Sequence, residues 1–169
     1  MTNPQIDFRN TLFDLVRFNL YHFPRSRVTQ VLLAGALLLF GRDAMRVDAP
    51  LSARIVMFLI LAVGLVVACT AIIIVVAVFS YRPKKNKGIL SEHHVSLTLE
   101  GVVEETPVST SKWAWSAVPR IARTRSYIYI YVQQNMAHVI PARAFRTDAE
   151  AAQFFDSAMA LWKAPATSS

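Results

Sequence analysis

Residues 55–81 read IVMFLILAVGLVVACTAIIIVVAVFSY, 27 residues without a formal charge. As a helix rising about 1.5 Å per residue they extend roughly 40 Å, against roughly 30 Å of bilayer hydrocarbon. In lipid every backbone N–H and C=O must be satisfied within the segment, and a helix does this. The stretch predicts a transmembrane helix over 55–81. The chain divides around it into a membrane-bound N-terminal part and a water-facing C-terminal part.

Immediately upstream, Val31–Phe40 is apolar but too short to span. Extended to 26–45 it reaches spanning length, with Arg27 and Arg42 near its ends, where long side chains snorkel to the headgroups. This predicts a first span, with a re-entrant or interfacial helix as the rival, and a tight loop at Gly41–Arg54 containing Pro50. Residues 25–82 then form a two-helix transmembrane region. Gly64 and Ala68 are a small-xxx-small pair through which a homo-oligomer is possible. Farther out, Asp7, Asn10, Asp14 and Arg17 recur at three- to four-residue spacing opposite Phe8, Leu12, Leu15, Val16 and Phe23. That pattern predicts an amphipathic helix over 1–24, either lying in the membrane interface or packed on the rest of the protein.

The net charge of +7 belongs wholly to residues 1–90, since 91–169 carry seven basic and seven acidic residues. Basic flanks of a bilayer span account for it better than nucleic acid does. Basic residues before residue 28 and just after the long run outnumber those of the intervening loop by eight to three, which puts both termini in the cytoplasm. Arg82, Lys84, Lys85 and Lys87 are the candidate contacts to anionic headgroups.

Downstream of Gly88 the periodicity changes to two. His93, Val95, Leu97 and Leu99 alternate with polar residues, and Glu100-Gly101 turns the chain into a second strand over 102–106. A strand through 109–115 puts Trp113 and Trp115 on one face. Tyr127–Val132 is the strongest strand signal, with isoleucines on one face and tyrosines on the other. Gln133-Gln134-Asn135 turns it into a hairpin ending at Pro141. Thr147 with Glu150 matches a capping box and opens a helix to about Lys163 that buries Ala152, Phe155, Met159 and Trp162. The fold class expected is α+β: a two-helix membrane hairpin and a small β domain over 88–163 closed by one helix, with 164–169 as a tail. Trp115 and Phe155 are expected in its core.

Trp115-Ser116-Ala117-Val118, the aromatic strand, then Val139-Ile140-Pro141-Ala142-Arg143-Ala144-Phe145 and a helix opening near Thr147 resemble the C-terminal domain of the YcxB-like proteins of bacteria. The phrase Phe13-Asp14-Leu15-Val16-Arg17-Phe18-Asn19-Leu20-Tyr21-His22 resembles the opening segment of that family. The resemblance implies a bacterial inner-membrane protein whose cytoplasmic domain is similar to pleckstrin-homology-like folds. It implies no catalytic residues. Trp115, Pro141 and Phe145 look like fold markers, and Arg143 is either a structural partner or a ligand contact.

The chemistry-bearing residues point away from catalysis. His93 and His94 are neighbours on a strand and face opposite ways, so they do not readily share a metal ion, and His138 is a third ligand only if the strands align. Glu104 and Glu105 are likewise adjacent and suit a carboxylate dyad poorly. No nucleophile elbow, P-loop or G-x-G-x-x-G occurs, and no cofactor is implied. Arg120, Arg123, Arg125 and Arg143 are the candidate binding face, turned to anionic lipid or to an acidic protein, against the plainer reading of solvated, salt-bridged faces. The expectation is a non-enzymatic membrane protein that binds lipid headgroups or an unidentified protein partner. The alternative is a membrane-resident immunity protein that antagonises a toxin.

Overall fold

The structure, a computed structural model, describes residues 3–81 and 88–164. They form a mixed α+β chain: strand β1 (Gln5–Arg9), helices α1 (Leu12–His22), α2 (Arg27–Arg46) and α3 (Leu51–Ser80), strands β2 (Glu92–Leu97), β3 (Gly101–Thr106), β4 (Ser109–Ala114), β5 (Arg120–Arg123), β6 (Tyr127–Gln133) and β7 (Met136–Pro141), and helix α4 (Asp148–Lys163). Two compact units result. One joins Met1–Leu15 to Tyr81–Ser169, and the other is Val16–Ser80, so the boundary falls inside α1.

In the helical unit, α2 and α3 fold back on each other through the short connection at residues 47–50. Arg54 ties this turn by donating to the carbonyls of Ala49 at 2.8 Å and Met45 at 3.3 Å. Gly41 lies against the Phe58 ring. Both helices are long and apolar enough to cross a membrane, at about 30 and 45 Å. Their large side chains, Val31, Leu32, Leu38, Ile60, Val63 and Ile72 among them, are exposed along the helices, while Ala44 and Ala77 are buried. The one hydroxyl deep in α3 is satisfied locally, Thr70 donating to the Val66 carbonyl at 2.8 Å.

The other unit is built on two antiparallel sheets, one in the order β1-β2-β3-β4 and one in the order β5-β6-β7. Residues 5–9 are the principal correction to the sequence reading. They form a strand, not the start of a helix over 1–24, and pair with β2 from Gln5↔Ser96 to Arg9↔Glu92. Ile6 and Phe8 alternate inward and Phe8 enters the core, a two-residue period that wins over the helical spacing because the β2 edge supplies the hydrogen bonds. The helix begins only at Leu12, and Asp14 lies on its buried side with Leu15 and Phe18.

One core fills the space between the sheets and α4: Phe8, Val95, Leu97, Val102, Trp115, Ile128, Ile130, Ile140, Phe145 and Phe154 are among its members. The β2–β3 turn is closed by Thr98, whose N–H and hydroxyl both donate to the Gly101 carbonyl at 2.9 Å. Gly101 is required there because a Cβ would overlap the backbone of Trp113 on β4. β4 ends at Ala114, so Trp115 sits in the following turn and not in the strand beside Trp113. It is buried, and its indole N–H donates to the Thr98 carbonyl at 2.9 Å. β6 is buried on both faces.

Helix α4 starts where the capping box predicts, the Glu150 N–H donating to Thr147 Oγ1 at 3.1 Å. The Glu150 carboxylate returns to the N–H of Arg146, one residue before the cap, at 2.8 Å. The buried centre of α4 is Ala151, Phe154 and Ala158, one position back from the Ala152 and Phe155 line expected. Phe155, Met159 and Trp162 flank it, partly buried, and Phe154 takes the central place with its ring tilted against that of Phe145, centroids 5.4 Å apart.

Candidate functional site

The sheet unit encloses two buried polar clusters. The first centres on Asp14, whose side chain is wholly buried. Thr11 caps α1 and Asp14 is three residues on, the capping-box spacing with aspartate in place of glutamate. The Asp14 N–H donates to Thr11 Oγ1 at 3.3 Å, and the Thr11 N–H returns to Asp14 Oδ2 at 2.7 Å. The carboxylate has three further donors. The Thr11 hydroxyl reaches Oδ2 at 2.7 Å and the Tyr127 hydroxyl reaches Oδ1 at 2.8 Å. Arg143 forks across both oxygens at 2.7 Å each and also reaches the Arg9 carbonyl at 3.1 Å. Burial alone would push the Asp14 carboxyl up, but the hydrogen bonds from Arg143, Thr11 and Tyr127 outweigh it and hold it well below the usual carboxylate range. The cluster thus joins the N-terminal strand and helix to β6 and to the turn after β7.

The second cluster links the two sheets. Glu104 on β3 points inward while Glu105 is exposed. His93 Nδ1 on β2 lies 2.9 Å from Glu104 Oε1, and His138 Nδ1 on β7 lies 3.1 Å from Oε2. The second ring nitrogen of His93 is 3.0 Å from the Ile89 carbonyl. The Phe8 ring stacks on its face, with centroids 5.3 Å apart and planes 8° apart. Burial would push the Glu104 carboxyl up, but hydrogen bonds from His138 and His93 bring it down to about 2. Burial likewise opposes the His93 cation, and its bonds to Glu104 and to the Ile89 carbonyl override this and raise its pKa. The strands therefore align His138 with His93, with a carboxylate between them. Among the described residues no group of three or more His, Cys, Asp or Glu is arranged to hold a metal ion.

The four candidate arginines do not form one face. Arg120 and Arg123 are three apart on β5 and point to opposite sides. Arg120 lies 4.1 Å over the Tyr131 ring, while Arg123 approaches the Phe155 ring and donates to the Asp148 carbonyl at 3.4 Å. Arg125 is exposed in the β5–β6 turn. Arg143 is held by Asp14, a structural partner, while about half of its side chain stays exposed. Trp115 and Phe145 are in the core, and Pro141 is fully buried at the end of β7. Gly64 and Ala68 are exposed on α3, with nothing within 4 Å of where a Cβ on Gly64 would stand. Arg82, Lys84, Lys85 and Lys87 lie outside the described residues.

A third feature was not legible from the sequence. A groove of about 580 Å³ opens over β1, β2 and β3, lined by Asp7, Arg9, Glu92, His94 and Glu105 with Pro107 at its end. Asp7, His94 and Glu105 are direct cross-strand neighbours, and His94 Nδ1 is 2.6 Å from Asp7 Oδ1. Its floor includes a strand 83 or more residues away from its partners in the chain, so local patterning could not reveal it.

No curated protein matches the chain. Residues 97–159, from the last residue of β2 into α4, match the family model described as YcxB-like protein. That segment contains Trp115, Pro141, Arg143 and Phe145, the residues that carry the resemblance in sequence. Over residues 97–159, a little over a third of its length, the chain is similar to the YcxB-like proteins.

Proposed function

We propose that the chain is a non-enzymatic membrane-anchored module: α2 and α3 cross the bilayer as a hairpin, and the sheet unit, pleckstrin-homology-like, lies on the cytoplasmic side and binds a protein partner. The observation that carries this is the β1–β2 ladder. It hydrogen-bonds a strand preceding both apolar helices to one following both. A ladder does not form through a bilayer, so the two strands share one side, and the hairpin crosses an even number of times. The basic-residue count assigns that side to the cytoplasm. The exposed apolar side chains of α2 and α3 need lipid around them. Two antiparallel sheets of four and three strands with a closing C-terminal helix support the pleckstrin-homology-like reading.

Between the two ligand classes the geometry favours protein. The arginines are dispersed, and the groove over β1–β3 sets three carboxylates, those of Asp7, Glu92 and Glu105, against one arginine, which suits a basic segment and repels anionic headgroups. Reporter fusions at residue 47 and after residue 169 should report opposite sides, and the same side for both would overturn the hairpin. Crosslinked capture from native membranes, with Asp7→Lys/Glu105→Lys as the control that should lose the partner, tests the binding. Anionic liposomes that bind the full chain while no protein is captured would redirect the reading to lipid. A toxin as the captured partner would make the chain an immunity protein, and rescue of toxin-expressing cells tests that case.

A further inference from the structure

The Glu104 carboxylate is shared by two imidazoles, and the hydrogen bonds of His93 fix its protonation. Both nitrogens of His93 face acceptors, Glu104 Oε1 at 2.9 Å and the Ile89 carbonyl at 3.0 Å. Each acceptor requires an N–H, so His93 is a cation in this arrangement. His138 has one partner, Glu104 at 3.1 Å, and its Nε2 is buried without one among the described residues. The stack with Phe8 adds a ring face to the His93 cation.

We propose that His93 is a pH-sensitive latch that fastens the turn at residues 88–91, which precedes β2, to the joint between the two sheets. A neutral His93 has one N–H for two acceptors. Keeping the proton on Nδ1 preserves the bond to the carboxylate, so Nε2 is the nitrogen that gives up its proton, and the Ile89 carbonyl loses its donor. Among the described residues three side-chain hydrogen bonds then still hold the turn, Ser91 Oγ to the Gly88 carbonyl at 2.5 Å and to the Glu92 carbonyl at 3.3 Å, and Arg9 Nε to the Leu90 carbonyl at 3.5 Å. All are local or exposed, and none reaches the joint.

The charged and titratable groups around His93 are few. Glu104 on β3 faces it directly, and His138 on β7 stands on the far side of that carboxylate. On β1, Asp7 and Arg9 flank Phe8, with Asp7 paired to His94. On β2 itself Glu92 and His94 alternate to the other face, as does Glu105 on β3. One anion in direct contact favours the cation, and burial opposes it. The sign follows: with its folded pKa raised, the latch is fully closed below the ordinary histidine value of about 6.5 and opens as pH rises through the higher folded value.

Full-length protein in detergent micelles, with histidine ring nitrogens labelled, is titrated by NMR while hydrogen exchange of peptides covering residues 88–91 is measured and corrected for intrinsic rates. Expected is a His93 midpoint above 6.5, with exchange of the turn accelerating about tenfold or more through the same midpoint while exchange of β6 stays constant. Glu104→Gln should bring the His93 midpoint down and move the exchange step with it. His93→Gln should leave the turn fast-exchanging at every pH. A midpoint at or below 6.5, or a turn whose exchange ignores the His93 titration, overturns the latch. The wild-type titration decides this even where a variant fails to fold.

Discussion

At the scale of single residues, the Asp14 cluster sets the largest expected effects. The carboxylate accepts five hydrogen bonds from Thr11, Tyr127 and Arg143. Arg143→Ala takes the only cation from a wholly buried carboxylate that keeps its bonds to Thr11 and Tyr127, and should cost about 1–3 kcal/mol in chemical denaturation of the full chain. Arg125→Ala, at an exposed turn, should change stability by less than about 0.5 kcal/mol. A carboxyl whose folded pKa is depressed stabilises above its unfolded value, here 3.8, and that stabilisation is lost as pH falls below it. Melting temperature should therefore drop on acidification below about pH 4, and Asp14→Asn should flatten the drop. Thr11-x-x-Asp14 has the same spacing as Thr147-x-x-Glu150, but the helix expected over 1–24 ran through it, so the cap went unread. Tyr127 and Arg143 lie 113 and 129 residues away, and no pattern in one sequence connects them.

At the scale of elements, strands with a continuous alternation were readable and so were the two apolar helices. β6 and β7 emerged as a hairpin because Tyr127–Val132 is rich in aromatic and β-branched residues and Gln134-Asn135 interrupts it. β1 did not emerge, because five residues carry both periods equally well and its stabilising partner is far away. The phase of α4 slipped by one residue since Phe154 and Phe155 are both apolar, and only the position of Phe145 decides between them. Thr147→Ala should cost about 1 kcal/mol by removing the cap of α4. Gly101→Ala should be far worse, because a backbone carbonyl stands where the methyl would go and β4 must give way. Thermal melts of the two variants side by side check the order.

At the scale of the whole molecule, the sheet unit takes residues from both sides of the helical hairpin. A fragment confined to 88–169 lacks β1, Phe8 and Asp14, and leaves Arg143 and the Tyr127 hydroxyl without that carboxylate. It should not fold cooperatively. A fragment in which residues 3–15 are joined to 88–164 by a flexible linker should give a two-state melt, and circular dichroism distinguishes the two. The β domain expected over 88–163 leaves out Met1–Leu15, which the sheet unit includes, since the change in texture marks where the apolar run ends and not where the unit begins.

That discontinuity also sets a clock. Asp7 and His94, partners across β1 and β2, are 87 residues apart. At about 5–20 residues per second, a ribosome reaches the second strand roughly 4–17 seconds after making the first. During that delay β1 has no ladder, Phe8 has no core, and the two apolar helices are the next segments to leave the exit tunnel. On the proposed topology, bilayer insertion would be completed while the sheet unit is still missing most of its strands, and a hairpin inserted with one crossing would strand β1 across the membrane from its partner for good.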